Sequence, residues 1–295
     1  MVQALRRALL GAATFTLAGC GSPLPLSTES RRDADAAARL RDSAEAHGLA
    51  AYRRLRDINV SYQGEWRPLI GRLQPALIDP GHRGSSQERL MPGPRSIAQS
   101  HRGPLGHKQV WWRRESAQPV DQGQVSVWLD DVPSQDTAVL QTAALVAEGY
   151  CLFLLGPLWL VDRDLPMRLG GTEPVDGRPC DIVDVWLSPG LGLVQTDRLS
   201  IWIDRSDHVM RRVRFTLEGF EGTQGAVAEV ETYDHVQRFG VLWPTRFYER
   251  LKHPLPLPVH DWKLTGLDVD RGYGPQSLSG PRFSGTASAD AAPFT

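Results

Sequence analysis

Period-2 alternation dominates the second half of the chain. Leu199, Ile201 and Ile203 alternate with Ser200, Trp202 and Asp204, and Val213, Phe215 and Leu217 alternate with Arg212, Arg214 and Thr216. Successive strand side chains point to opposite faces, so this grammar predicts half-buried strands. Further strands are predicted over 227–233, 242–251 and 262–269, separated by turns containing Gly or Pro. Strands at such short intervals predict one antiparallel meander, curved or barrel-like.

The first half mixes two periods. Leu40, Ala44, Ala51 and Leu55 recur at helical spacing, which predicts a long amphipathic helix over 33–55, interrupted at Gly48. Ile58, Val60 and Tyr62 then alternate with polar neighbours and predict a strand. Residues 76–107 are rich in Gly, Pro, Ser and His with little apolar periodicity. They are expected as long loops, apart from a few extended residues at 76–78. Segments 110–115 and 125–129 read as strands carrying Trp111, Trp112 and Trp128. Segment 136–148 reads as a helix capped by Ser134 or Asp136, and 151–161, with Gly156-Pro157, as a buried turn and strand.

The N-terminus adds a destination. Arg6 and Arg7 precede a mostly apolar stretch over 8–18, the pattern of an export leader too short to serve as a final bilayer span. The following Leu17-Ala18-Gly19-Cys20 resembles the bacterial lipobox. That resemblance implies cleavage before Cys20 and acylation of its thiol and amine. Several acyl chains exceed the two hydrophobic signals that stable anchoring takes. Gly21 in place of aspartate leans towards the outer membrane, facing the periplasm. The expected organisation is a leader over 1–19, a lipidated tether over 20–32, one domain over 33–280 and a disordered tail over 281–295. The chain has 33 basic and 34 acidic residues; losing Arg6 and Arg7 leaves 31 against 34, a formal charge of −3. No concentrated basic face calls for nucleic acid.

Chemical motifs are scarce. No GxSxG elbow, HExxH helix or Gly-rich phosphate loop occurs. His82, His101 and His107 share a polar segment with Asp79, but their irregular spacing favours solvated loop histidines over a metal site. Asp130-Asp131 suits a turn. Glu229 and Glu231 share one strand face and are expected on a polar outer surface, and Arg211, Arg212 and Arg214 are expected mainly in solvent. Cys151 and Cys180 could pair in an exported protein, while their spacing fits neither a zinc pair nor a CxxC motif. Both the bridge and two free thiols stay open. Neither an enzyme nor a cofactor is indicated.

Short motifs along most of the mature chain resemble the LolA/LolB-like lipoprotein-localisation superfamily. They are Ile201-Trp202-Ile203-Asp204, Arg211 to Phe215 and Val241-Leu242-Trp243-Pro244-Thr245-Arg246. The early helix leading into Tyr52-Arg53-Arg54-Leu55, the strand ending Gly64-Glu65-Trp66, and Val175-Asp176-Gly177-Arg178 also fit. The resemblance implies a mainly β (α+β) fold: a strongly curved antiparallel sheet forming an open half-barrel, with helices covering its mouth. It also implies an apolar cavity that receives acyl chains of lipids or lipoproteins.

Aromatic residues suit such a wall because they offer large, rigid contact area. Trp111, Trp128, Trp202, Phe215, Phe247 and Trp262 lie on predicted strands and are the expected wall residues. Pro254 to Val259 reads as an exposed apolar loop with Leu255 or Leu257 projecting, or as a Pro-rich connection. The expected function is reversible burial of acyl chains by a membrane-anchored lipoprotein. The alternative is a non-enzymatic interaction or sensor module with a filled core that binds another envelope protein.

Overall fold

The computed structural model describes residue 24 and residues 31–93, 95–114, 123–274 and 277–278. Cys20, the leader, most of the tether and the tail over 281–295 lie outside these residues.

The elements run in chain order as α1 (Ala34–Ala46), α2 (Leu49–Tyr52), β1 (Ile58–Trp66), α3 (Pro68–Leu73), α4 (Pro75–Ile78), β2 (Ser85–Met91), β3 (Ser96–Gly103), β4 (Gly106–Arg113), β5 (Gln124–Leu129) and β6 (Val132–Pro133). There follow α5 (Thr137–Leu155), α6 (Pro157–Leu160), β7 (Met167–Val175), β8 (Arg178–Leu187), β9 (Asp197–Asp204), β10 (Met210–Thr216) and β11 (Val227–Tyr233). The last are β12 (Val236–Arg238), β13 (Val241–Trp243), β14 (Arg246–His253) and β15 (Leu257–Val269). Among the described residues 13 strands form one sheet in the order β6-β5-β4-β3-β2-β1-β15-β14-β11-β10-β9-β8-β7, with β12 and β13 paired apart. The strand pairings within it are antiparallel, and the two edges do not meet. This is an open half-barrel with its helices on one face.

Local chemistry explains the elements. The Asp33 side chain caps α1 by accepting from Ala36 N at 2.9 Å, and Asp136 caps α5 by accepting from Ala138 N at 2.8 Å. Gly48, at φ 91°, separates α1 from α2 at the expected break. Asp176 and Gly177 both take positive φ in the turn joining β7 to β8, the combination that suits a tight hairpin.

One face of the sheet carries Ile58, Val60, Ile201, Ile203, Val213, Val230, Phe247 and Leu267, and together with buried residues of α1 and α5 it forms the main core. The alternate residues face outward. There Arg212 and Arg214 pair with Glu231 and Glu229, each with an N–O contact of 2.6 Å. Both glutamates are buried beneath these arginines, so the expected polar outer surface exists but its carboxylates are not solvated.

Three segments differ from the sequence reading. Residues expected as loops over 79–107 form β2, β3 and the start of β4. The inward faces of β2 and β3 carry Glu88, Gln99 and His101 where alternation would show apolar residues, so the period is hidden. Residues 76–78 are helical, within α4, rather than extended. Residues 151–155 continue α5, and α6 follows Gly156 in place of the expected turn and strand. α5 is buried over most of its length, so it lacks the one-sided stripe that reveals a helix. It is long and apolar enough to cross a membrane, but most of it is enclosed by the rest of the protein.

Cys151 and Cys180 are both free thiols. Cys151 packs in the main core while Cys180 packs with Trp202 in the outer cluster, so the sheet separates them. Leu24, within the expected tether, is buried and lies beside Ile182 and Trp202 on the outer face.

Candidate functional site

An apolar cavity of about 410 Å³ opens between the concave face and the helices α3, α4 and α5. Its volume lies in the range of small-molecule sites, about 300–1,000 Å³. One transverse row of the sheet forms its wall: Phe215, Ala228, Leu251 and Leu257 are register partners across β10, β11, β14 and β15. Ala228, together with Ala226 and Gly149, is small where neighbouring positions are large, and this leaves the space unfilled. Ile70, Leu73, Leu77 and Ile78 from α3 and α4 form the opposite side. Leu73 and Leu255 line the cavity and are 54 % and 62 % exposed, which marks its mouth.

A small polar group faces this apolar hollow. Glu249 is the register partner of His260, which in turn pairs with Trp66 on β1. The rings of Trp66 and His260 stack with centroids 3.6 Å apart, and Tyr150 Oη lies 3.2 Å from His260 Nδ1. Arg83 is only 8 % exposed; its guanidinium lies 4.6 Å from the Trp66 ring centroid and 5.3 Å from that of Tyr150. Arg83 Nη1 donates to the Leu77 carbonyl at 3.0 Å, so it fastens α4 over the cavity. Desolvation pushes the Glu249 carboxyl up to about 7 against the opposing pull of Arg83. Burial, reinforced by Arg83, holds His260 well below the usual imidazole range, so it stays neutral.

The expected wall residues divide between the two faces. Phe215 lines the cavity. Phe247 and Trp262 face inward but stack on each other at 5.0 Å within the solid core rather than lining the hollow. Trp202 packs with Val175 and Cys180, and Trp111 with Met91 and Ala98, in separate clusters on the outer face. Trp128 alternates with Val127 and Leu129, which face α5, and so also points outward. The signal that could have identified the wall was Ala228, small in an otherwise bulky strand, with Ala226 just before that strand.

The histidines of the polar segment separate as well. His82 Nδ1 lies 2.9 Å from Asp79 Oδ1, and Lys108 Nζ lies 2.8 Å from Asp79 Oδ2. His101 is buried inside, while His107 bonds Ser100 on the outer face. No group of metal-ligating side chains assembles among the described residues.

No family model and no curated protein matches the chain. Solved structures do. A DUF1329 family protein from Desulfovibrio piger superposes with a TM-score of 0.51 at 10 % identity, covering 82 % of this chain and 96 % of the other. A LolA superfamily protein from Nitrosomonas europaea gives 0.41 at 12 % identity, covering 83 % and 97 %. A putative outer membrane lipoprotein-sorting protein domain from Vibrio parahaemolyticus gives 0.40 at 10 % identity, covering 83 % and 97 %. The chain therefore shares the fold of the Desulfovibrio piger protein: a large open antiparallel sheet with helices on its concave face.

Proposed function

We propose that this protein is an envelope lipoprotein, anchored through Cys20, that binds acyl chains of a lipid or lipoprotein in the cavity beside Phe215. The observation that carries this reading is the continuous apolar wall Phe215–Ala228–Leu251–Leu257 around unfilled space. A solid interior would favour the competing reading of an interaction module, but unfilled space remains beside Phe215, while Phe247 and Trp262 stack on each other in the core. Binding makes and breaks no bond. Burying about 500 Å² of chain surface would contribute about 12 kcal/mol before association and ordering costs.

The exposed leucines at the mouth, Leu73 and Leu255, support loading from a membrane or from another lipid carrier. The lipobox-like Leu17-Ala18-Gly19-Cys20 supports an envelope location, with the outer membrane favoured by Gly21. The test is titration of the full chain carrying Cys20→Ser with a pyrene-labelled fatty acid. Saturable binding that unlabelled fatty acid displaces is expected; absence of saturable binding to the folded protein overturns the reading.

A further inference from the structure

A second hollow, of about 320 Å³, lies between α5, α6 and the turn joining β2 to β3. Its character differs from that of the acyl cavity. Arg53, Arg95, Arg114 and Arg163 line it, against only two carboxylates, Glu148 and Asp162.

Both carboxylates are already engaged. Glu148 accepts from Arg114 Nε at 2.8 Å, from Arg114 Nη2 at 2.5 Å and from Gly192 N at 2.7 Å. Asp162 accepts from Arg53 at 3.1 and 2.5 Å. Arg163 lies with its guanidinium 4.8 Å from the Trp159 ring centroid and donates to the Pro189 carbonyl at 3.3 Å. Neither Arg163 nor Arg95 has a carboxylate within ion-pair distance among the described residues. Arg114 is 5 % exposed, and its Nη1 is buried with no hydrogen-bond partner among the described residues. Burial, with Arg114 and Arg95 nearby, lowers the Arg163 guanidinium to about 10.

Arg163 is half-buried without a carboxylate partner, which is costly, and Arg95 is exposed at the rim; an anion between them would relieve the cost at Arg163 and be drawn in by Arg95. The hollow carries two positive charges in excess, which a phosphate monoester of about −1.5 to −2 matches and a single carboxylate does not. Planar guanidinium groups suit phosphate oxygens. The remaining wall is apolar, from Leu90, Ile97, Leu155 and Leu158, so it can take an organic portion attached to the phosphate.

We propose that this hollow binds a phosphate group, with Arg95 and Arg163 as the charged donors and the unpartnered Nη1 of Arg114 as a further N–H on its wall. The group is either free phosphate or the headgroup of a phosphate-bearing amphiphile. The site is separate from the acyl cavity and does not depend on its reading.

The test titrates the full chain carrying Cys20→Ser with inorganic phosphate and, separately, with dihexanoyl phosphatidic acid, read by calorimetry. Saturable binding of at least one probe is expected, weakened about tenfold or more in Arg95→Gln and in Arg163→Gln. Arg95 is exposed, so its variant keeps the fold even where the Arg163 variant does not. Binding by phosphatidic acid alone assigns a lipid headgroup, and equal binding of both assigns free phosphate; either result supports the site. Ala228→Leu, in the other cavity, leaves the binding in place. No saturable binding of either probe, undiminished binding in Arg95→Gln, or loss confined to Ala228→Leu overturns the proposal.

Discussion

Glu249 stands directly across from His260 on the concave face, an acid and a neutral imidazole side by side at the edge of an apolar cavity. Desolvation raises the acid to about 7 from an ordinary value of 4.5. Between those values the folded protein keeps a proton that the unfolded chain releases, so this group makes stability fall as pH rises through that window. Glu88 and Asp197, also pushed up to about 7 by burial, act in the same direction. Glu249→Gln removes one of these contributions. Its melting temperature relative to wild type should rise by a few degrees between about pH 5 and about pH 8. Thermal melts at both pH values check this, and an unchanged difference would show that Glu249 is not desolvated.

The empty space beside Ala228 gives a mutation that separates binding from folding. Ala228→Leu places extra methyl groups against Phe215 and Leu251, within the cavity. In a filled core such overpacking costs about 1–3 kcal/mol. Here stability should change by less than about 1 kcal/mol, while affinity for a labelled fatty acid falls about tenfold or more. Denaturant melts and probe titration give the two numbers, and full retention of binding would take Ala228 out of the wall.

Arg114 and Glu148 form a buried, bidentate ion pair. Removing one partner of such a pair strands the other charge, so Glu148→Ala should cost about 3–5 kcal/mol. Urea denaturation measures it. A loss under about 1 kcal/mol would mean that water already reaches the arginine.

Gly64 admits the Trp262 backbone because it has no side chain. A Cβ there would come within 2.3 Å of Trp262 Cβ and 2.6 Å of the Asp261 carbonyl oxygen. Gly64→Ala should destabilise by about 1–3 kcal/mol through forced separation of β1 from β15. Circular dichroism melts check this, and a neutral result would show that the strand pair is loose.

Much of the architecture was legible because many strands obey the alternation of a half-buried sheet. β9 and β10 could be read from Leu199–Ile201–Ile203 and Val213–Phe215, whose side chains do face the core. β2 and β3 could not, since Glu88, Gln99 and His101 occupy their inward positions. The site was legible only in kind. Trp202 stood out by size, yet its neighbours Ile201 and Ile203 take the concave face and send it outward. Choosing a face needs the register of the whole sheet, and a one-residue shift exchanges the faces. The helical side of the cavity, from Ile70 to Ile78, comes from two short Pro-initiated helices too brief to show a period.

The central claim is that the cavity holds acyl chains, and the most direct measurement is mass spectrometry of an organic extract. The mature chain from residue 20 carrying Cys20→Ser, exported behind a cleavable leader in place of residues 1–19, is purified from a bacterial periplasm without detergent, beside an unrelated periplasmic protein as control. Lipid in stoichiometric amount, absent from the control, is the predicted result. A folded protein that yields no lipid above the control would contradict it.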